Sequence, residues 1–127
     1  MKKKTCFIFM LIWMIALHYH ASGQVISGRN IDSLKAIAFA DRPDTNSLKA
    51  FTELQRTYFN LGQYDSALYY CISALKIAHN VNDLAKTARL YYNAGLVYTN
   101  LTRYDSAKIY LDKAEQSALA IKDTVLL

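Results

Sequence analysis

The sequence predicts an all-α fold in which helical hairpins stack as a solenoid. Three observations carry that prediction. The tetrapeptide Tyr-Asp-Ser-Ala occurs at 64–67 and again at 104–107. Sliding the chain by 40 residues aligns 51–87 with 91–127, matching Tyr58 with Tyr98, Asn60 with Asn100, Tyr70 with Tyr110, Ala74 with Ala114, Ala78 with Ala118 and Asp83 with Asp123. From residue 45 onward every apolar stripe has the helical period, and none alternates as a strand does.

Each 40-residue unit reads as two helices. Residues 45–60 carry Leu48, Phe51, Leu54 and Tyr58 on one face, and Leu61-Gly62-Gln63 breaks the stripe. The second helix spans about 64–79, with Ala67, Leu68, Cys71, Ala74, Leu75 and Ala78. His79-Asn80-Val81-Asn82 turns, and Asp83 stands as the N-cap of the next helix. That helix, about 84–100, shows Leu84, Ala88, Tyr91, Ala94, Gly95 and Tyr98; after Leu101-Thr102-Arg103 the fourth, about 104–120, shows Ala107, Leu111, Ala114 and Ala118. The recurring Asp65 and Asp105 fall in a helix's first turn, where a carboxylate meets the positive end of the helix dipole. Ala67 and Ala107 are small where helices approach. The repeated tetrapeptide is therefore read as packing and capping rather than catalysis. Tyr58, Tyr64, Tyr91, Tyr98 and Tyr104 match repeat positions and are expected in the core; Tyr69, Tyr70, Tyr92 and Tyr110 are less constrained.

The ends differ in character. Lys2 to Lys4 precede the apolar run Cys6–Leu17, and Ala21-Ser22-Gly23 puts small residues before Gln24, the pattern of a cleaved secretory signal over residues 1–23. The run is shorter than the roughly 20 apolar residues that span a bilayer, which favours cleavage over the alternative of an uncleaved membrane anchor, and no membrane insertion is expected after cleavage. Residues 24–43 then hold a linker and a capping helix, in which Ile31, Leu34, Ile37 and Ala38 share a face. Repeat one covers 44–82 and repeat two 83–122. The recurrence of Asp44, Asp83 and Asp123 makes 123–127 the start of an incomplete third repeat, leaving Val125, Leu126 and Leu127 for a further helix or a second copy to bury.

Composition excludes several classes. The 127-residue chain carries a net +5, but three of its fifteen basic residues are Lys2 to Lys4. Residues 24–127 keep twelve basic and ten acidic side chains, a net +2 scattered along the chain, so no nucleic-acid partner is expected. Cys71 is the sole cysteine of that region, so no internal disulfide forms; it reads as a core residue, with an intermolecular bridge as the alternative. His79 is the sole histidine there and Glu53 and Glu115 the sole glutamates, with no metal-ligand spacing and no glycine-rich phosphate loop. No cofactor, metal or catalytic residue is expected. Asp32-Ser33-Leu34, Asp65-Ser66-Ala67, Asp105-Ser106-Ala107 and Asp123-Thr124-Val125 resemble an O-glycosylation acceptor pattern of some secreted bacterial proteins.

The two units resemble tetratricopeptide repeats, whose pattern is W-x2-L-G-x2-Y, then A-x3-F, then A. Repeat one offers Phe51, Leu54, Gln55, Tyr58, Ala67, Cys71 and Ala74; repeat two offers Tyr91, Ala94, Gly95, Tyr98, Ala107, Leu111 and Ala114. The period is 40 rather than 34, and the proline that ends the family's repeat is missing. The resemblance implies a right-handed solenoid and a non-catalytic protein-protein interaction module, secreted or periplasmic here. It also implies a concave peptide groove lined by the first helix of each repeat. Carried over by position, the groove residues are Lys49, Thr52, Arg56, Phe59 and Asn60, then Arg89, Tyr92, Leu96, Thr99 and Asn100. Lys49, Arg56 and Arg89, with Asn60 and Asn100, would hold an acidic or carboxylate-bearing segment; the alternative is a solvated polar face. A 40-residue period behind a signal peptide also resembles the N-terminal sensor arrays of bacterial histidine kinases and related helix-turn-helix regulators.

Overall fold

The computed structural model describes residues 31–41 and 43–125, with side chains to 122. The expected signal peptide and the linker at 24–29 lie outside the described residues. The chain divides into two units, residues 1–33 and 34–127. Of the first, residues 31–33 are described and are helical.

Five helices and no strand occur among the described residues. They are α1 (residues 31–38), α2 (Thr45–Asn60), α3 (Tyr64–Asn80), α4 (Leu84–Asn100) and α5 (Tyr104–Val125). Within the second unit α2 packs on α3, α3 on α4 and α4 on α5, the order of a helical-hairpin solenoid. Asp44 caps α2 by accepting from the Asn46 and Ser47 amides at 2.8 and 2.9 Å. Asp83 caps α4 by accepting from the Lys86 amide at 2.9 Å.

The three turns are one device used three times. Gly62, Asn82 and Thr102 follow one another at intervals of 20 residues and adopt φ of 71°, 55° and 58°. Around the first, the Gln63 amide donates to the Tyr58 carbonyl and the Gly62 amide to the Phe59 carbonyl; the same pairs recur at Asp83–Ala78 and Asn82–His79, then at Arg103–Tyr98 and Thr102–Thr99. These are the two bonds of a Schellman motif, which needs a left-handed residue just past the helix. Glycine takes that conformation freely and asparagine tolerates it, whereas a β-branched threonine is strained there. Thr102→Gly is therefore expected to stabilise the protein by about 0.5–1 kcal/mol, and Gly62→Thr to destabilise it by about 1–2 kcal/mol. Urea titration of both variants checks the pair of opposite signs.

The next position in this series is Lys122, and there the chain behaves differently. No turn precedes Asp123; α5 runs through it to Val125, making this helix 22 residues long. Lysine is a good helix former with no preference for the left-handed region. Val125, Leu126 and Leu127 lie outside the residues whose side chains are described.

The core is built from a few large side chains between small ones. Leu48, Leu54, Leu90, Val97 and Cys71 are the largest fully buried groups, joined by the almost fully buried Phe51, Tyr70, Leu75 and Ile77, and Ala67, Ala74, Ala78, Ala94, Ala107 and Ala114 let helices close on one another. Cys71 is fully buried and its Sγ lies 3.4 Å from the Leu90 carbonyl, to which the thiol donates. Burial pushes that thiol up to about 12, which leaves it protonated and out of reach of a second chain.

Tyrosines account for much of the repeat identity. Tyr58 pairs with Tyr70 and Tyr98 with Tyr110, each with ring centroids 5.1 Å apart. Tyr70, one of the less constrained by sequence, is buried. Burial raises its hydroxyl above the usual phenol value, with Tyr58 and Tyr69 adding to the rise and the Lys35 cation opposing it. Tyr104 departs from expectation and is 65% exposed. Its equivalent Tyr64 packs edge-on against Phe59 at 5.5 Å, but Thr99 stands where a second Phe would be needed.

The caps make stability depend on acid. Hydrogen bonds from the Ser47 and Asn46 amides outweigh desolvation and hold the Asp44 carboxyl below its ordinary value. A depressed carboxylate stabilises the fold above its unfolded value and loses that contribution as pH falls through the folded value. Asp44→Ala is therefore expected to lower the melting temperature at pH 7, with the gap to the parent closing below about pH 4. Melting curves of both proteins across pH 2–7 check this.

Candidate functional site

The first helices of the two hairpins, α2 and α4, share a cavity of about 280 Å³. A side-chain hydrogen bond crosses between them, from Asn93 Nδ2 to Gln55 Oε1 at 3.1 Å. Gln55 is buried, so this amide pair forms a fixed polar floor. Three cations stand around it: Arg56 from α2, and Lys86 and Arg89 from α4. Phe59 and Leu96 add apolar surface.

The charges are not balanced within the cavity. Arg56 pairs with Glu53 one turn away on its own helix. That pair is solvent-exposed, with the two side chains 69% and 42% accessible, and exposed pairs of this kind contribute only about 0–1 kcal/mol. A competing carboxylate can displace it at little cost. Lys86 and Arg89 have no carboxylate partner among the described residues. The cavity therefore presents a net positive charge beside an amide floor.

Of the ten residues expected from sequence, Thr52, Arg56, Phe59, Arg89 and Leu96 meet in this cavity. The other five do not line it. Thr99 Oγ1 donates to the Gly95 carbonyl and Asn100 Nδ2 to the Leu96 carbonyl, both at 2.9 Å, so their polar atoms serve their own helix. Asn60 is exposed at the end of α2, and Tyr92 is 51% exposed outside the cavity. Lys49 lines a different cavity, of about 530 Å³, with Leu34, Ile37 and Ala50. Strict 40-residue equivalence fails because α2 contributes positions 52–59 while α4 contributes 86–96, the counterparts of 46–56. Facing positions are thus offset by about one helical turn.

Sequence reasoning missed Glu53, Gln55, Lys86 and Asn93. A signal existed for part of this set: Lys86, Arg89, Asn93 and Leu96 fall at i, i+3, i+7 and i+10, one stripe of a helix. Gln55 occupies the family's glycine position, which draws attention to packing rather than to hydrogen bonding. Among the described residues no cluster of three His, Cys, Asp or Glu side chains exists. His79 faces Tyr91, with Nε2 3.1 Å from the phenol oxygen. No helix among the described residues is long and apolar enough to cross a membrane.

No curated protein and no solved structure matches the chain. The family model for the tetratricopeptide repeat matches residues 48–120, more than half of the chain. That span takes in α3 and α4 whole, most of α2 and all but the end of α5, the elements that build the hairpins and the cavity between their first helices. On that match, and with the hairpin fold already described, the chain belongs to the tetratricopeptide repeat family, whose general role is protein-protein interaction.

Proposed function

We propose that this chain is a non-catalytic, exported binding module that holds an acidic segment of a partner protein in the cavity between α2 and α4. The observation that carries the reading is the pair Lys86 and Arg89, without carboxylate partners among the described residues, set beside Arg56 over the Gln55–Asn93 floor. Charge complementarity selects the partner's sign. The amide floor suits an extended backbone, which presents both donors and acceptors.

The test uses two labelled decapeptides, amidated and acetylated, one rich in Glu and the other with Gln at the same places. Fluorescence anisotropy is expected to show tighter binding of the Glu peptide, weakening as salt is raised. Arg56 and Arg89 are exposed, so Arg56→Glu with Arg89→Glu leaves the core intact. That double variant is expected to lose at least tenfold in affinity for the Glu peptide. Equal binding of the two peptides, or indifference to the charge reversal, sinks the reading.

Export rests on the Lys2–Lys4 and Cys6–Leu17 pattern. An intact mass starting at Gln24 in the exported protein supports it, and retention of residues 1–23 opposes it. The 40-residue period favours a second reading, a sensor array of a membrane histidine kinase or helix-turn-helix regulator. Reading the gene beyond codon 127 separates that from a free-standing module.

A further inference from the structure

The two repeats differ at one buried position with a visible consequence. Leu90 in repeat two is fully buried, and its counterpart 40 residues earlier is Ala50. Ile77, on the helix preceding Leu90, is 6% exposed, whereas its counterpart Ile37, on the helix preceding Ala50, is 45% exposed. Where repeat two is filled by a leucine, repeat one has the cavity of about 530 Å³ lined by Leu34, Ile37 and Ala50 and completed by Asn46, Lys49 and Glu53. Glu53 also lines the basic cavity, so the two adjoin along α2.

We propose that this second cavity is the apolar anchor site for the same peptide that the basic cavity binds. The inference rests on the reading of the α2–α4 cavity as an acidic-segment site. The occupant is a peptide with one large aliphatic side chain seated over Ala50 and one carboxylate at Arg56, Lys86 and Arg89. Ala50 and Arg56 are six residues apart on α2, about 9 Å along the axis, and neighbouring helices stand about 8–10 Å apart. At roughly 3.3 Å per extended residue, the anchor and the acid fall about three to five residues apart. Glu53 sits between the cavities, so a carboxylate adjacent to the anchor is repelled.

The test is a display selection of random dodecapeptides against the full chain, followed by affinity measurement on Ala50→Leu and Ile37→Lys. Ala50→Leu installs the residue repeat two already carries, and Ile37 is exposed enough for its replacement to leave the fold intact. Enriched peptides are expected to pair an acid with Leu, Ile, Met or Phe at the stated separation. Replacing that apolar residue by Ser is expected to cost at least tenfold on the parent and almost nothing on either variant. Peptides sensitive to Arg89→Glu but indifferent to both cavity variants overturn the anchor and leave the acidic-segment reading standing. Binding indifferent to Arg89→Glu, or no enrichment at all, overturns both. Dissociation of a dimer by Ile37→Lys shows that a second copy fills the cavity and overturns the anchor alone.

Discussion

Leu90→Ala is expected to cost the protein about 3 kcal/mol, within the 2–5 kcal/mol range for truncating a buried leucine. Leu90 is fully buried and belongs to the α3–α4 contact, the seam between the two repeats. Its carbonyl also accepts from the Cys71 thiol, so the backbone there is held while the side chain leaves a void. For a domain of this size a loss of that order lowers the melting temperature by about 10–20 °C. Location adds a second expectation. Stability in repeat arrays is close to a sum of repeat terms and neighbour-interface terms, and Leu90 sits in the interface term. The variant should therefore unfold with a shallower denaturant slope, as the repeats begin to melt separately. A drop of less than about 1 kcal/mol in guanidinium unfolding, with an unchanged slope, would falsify the assignment of Leu90 to the seam.

Gly95→Val is the second large effect, with an expected loss of about 2–3 kcal/mol. Gly95 lies at a close approach of α4 and α5: a Cβ built on it stands 2.7 Å from both Cγ and Cδ2 of Leu111. The Ala107 carbonyl is 3.4 Å away on the same side. Cγ of Leu111 is the branch point of the side chain, so relief requires a new rotamer or a shift of α5. Gly95→Ala is expected to lose less, because alanine gains about 1 kcal/mol in helix propensity over glycine. A double-mutant cycle identifies the cause. Leu111→Ala removes the clashing atoms, so Gly95→Ala combined with Leu111→Ala should be more stable than the sum of the two single losses predicts. Strict additivity in chemical denaturation would place the strain elsewhere.

Gly95 also shows why the family pattern was readable at all. Small residues at Ala67, Ala74, Ala107 and Ala114 are required wherever helices close, and each stays buried in both repeats. Gln55 breaks the pattern at the position of Gly95, and the structure gives it another task, holding Asn93 across the two first helices. The Tyr58–Tyr70 and Tyr98–Tyr110 pairs were likewise visible as identities, but only the stacking of Tyr58 on Tyr70 reveals why Tyr70 is buried.

Local chemistry by itself determined the elements. The helix bounds Thr45–Asn60 and Leu84–Asn100 follow from Asp44 and Asp83 at one end and a left-handed residue at the other. Such signals act over three or four residues, and a linear reading captures them. What only the tertiary structure decided is which residues face each other across helices. The offset of about one turn between α2 and α4 brought Lys86 and Asn93 into the cavity and left Tyr92, Thr99 and Asn100 out. The void above Ala50 depends on the counterpart Leu90 and on the exposure of Ile37. Both are set by how one helix is staggered against another, a relation that side-chain packing fixes and that no repeat spacing encodes.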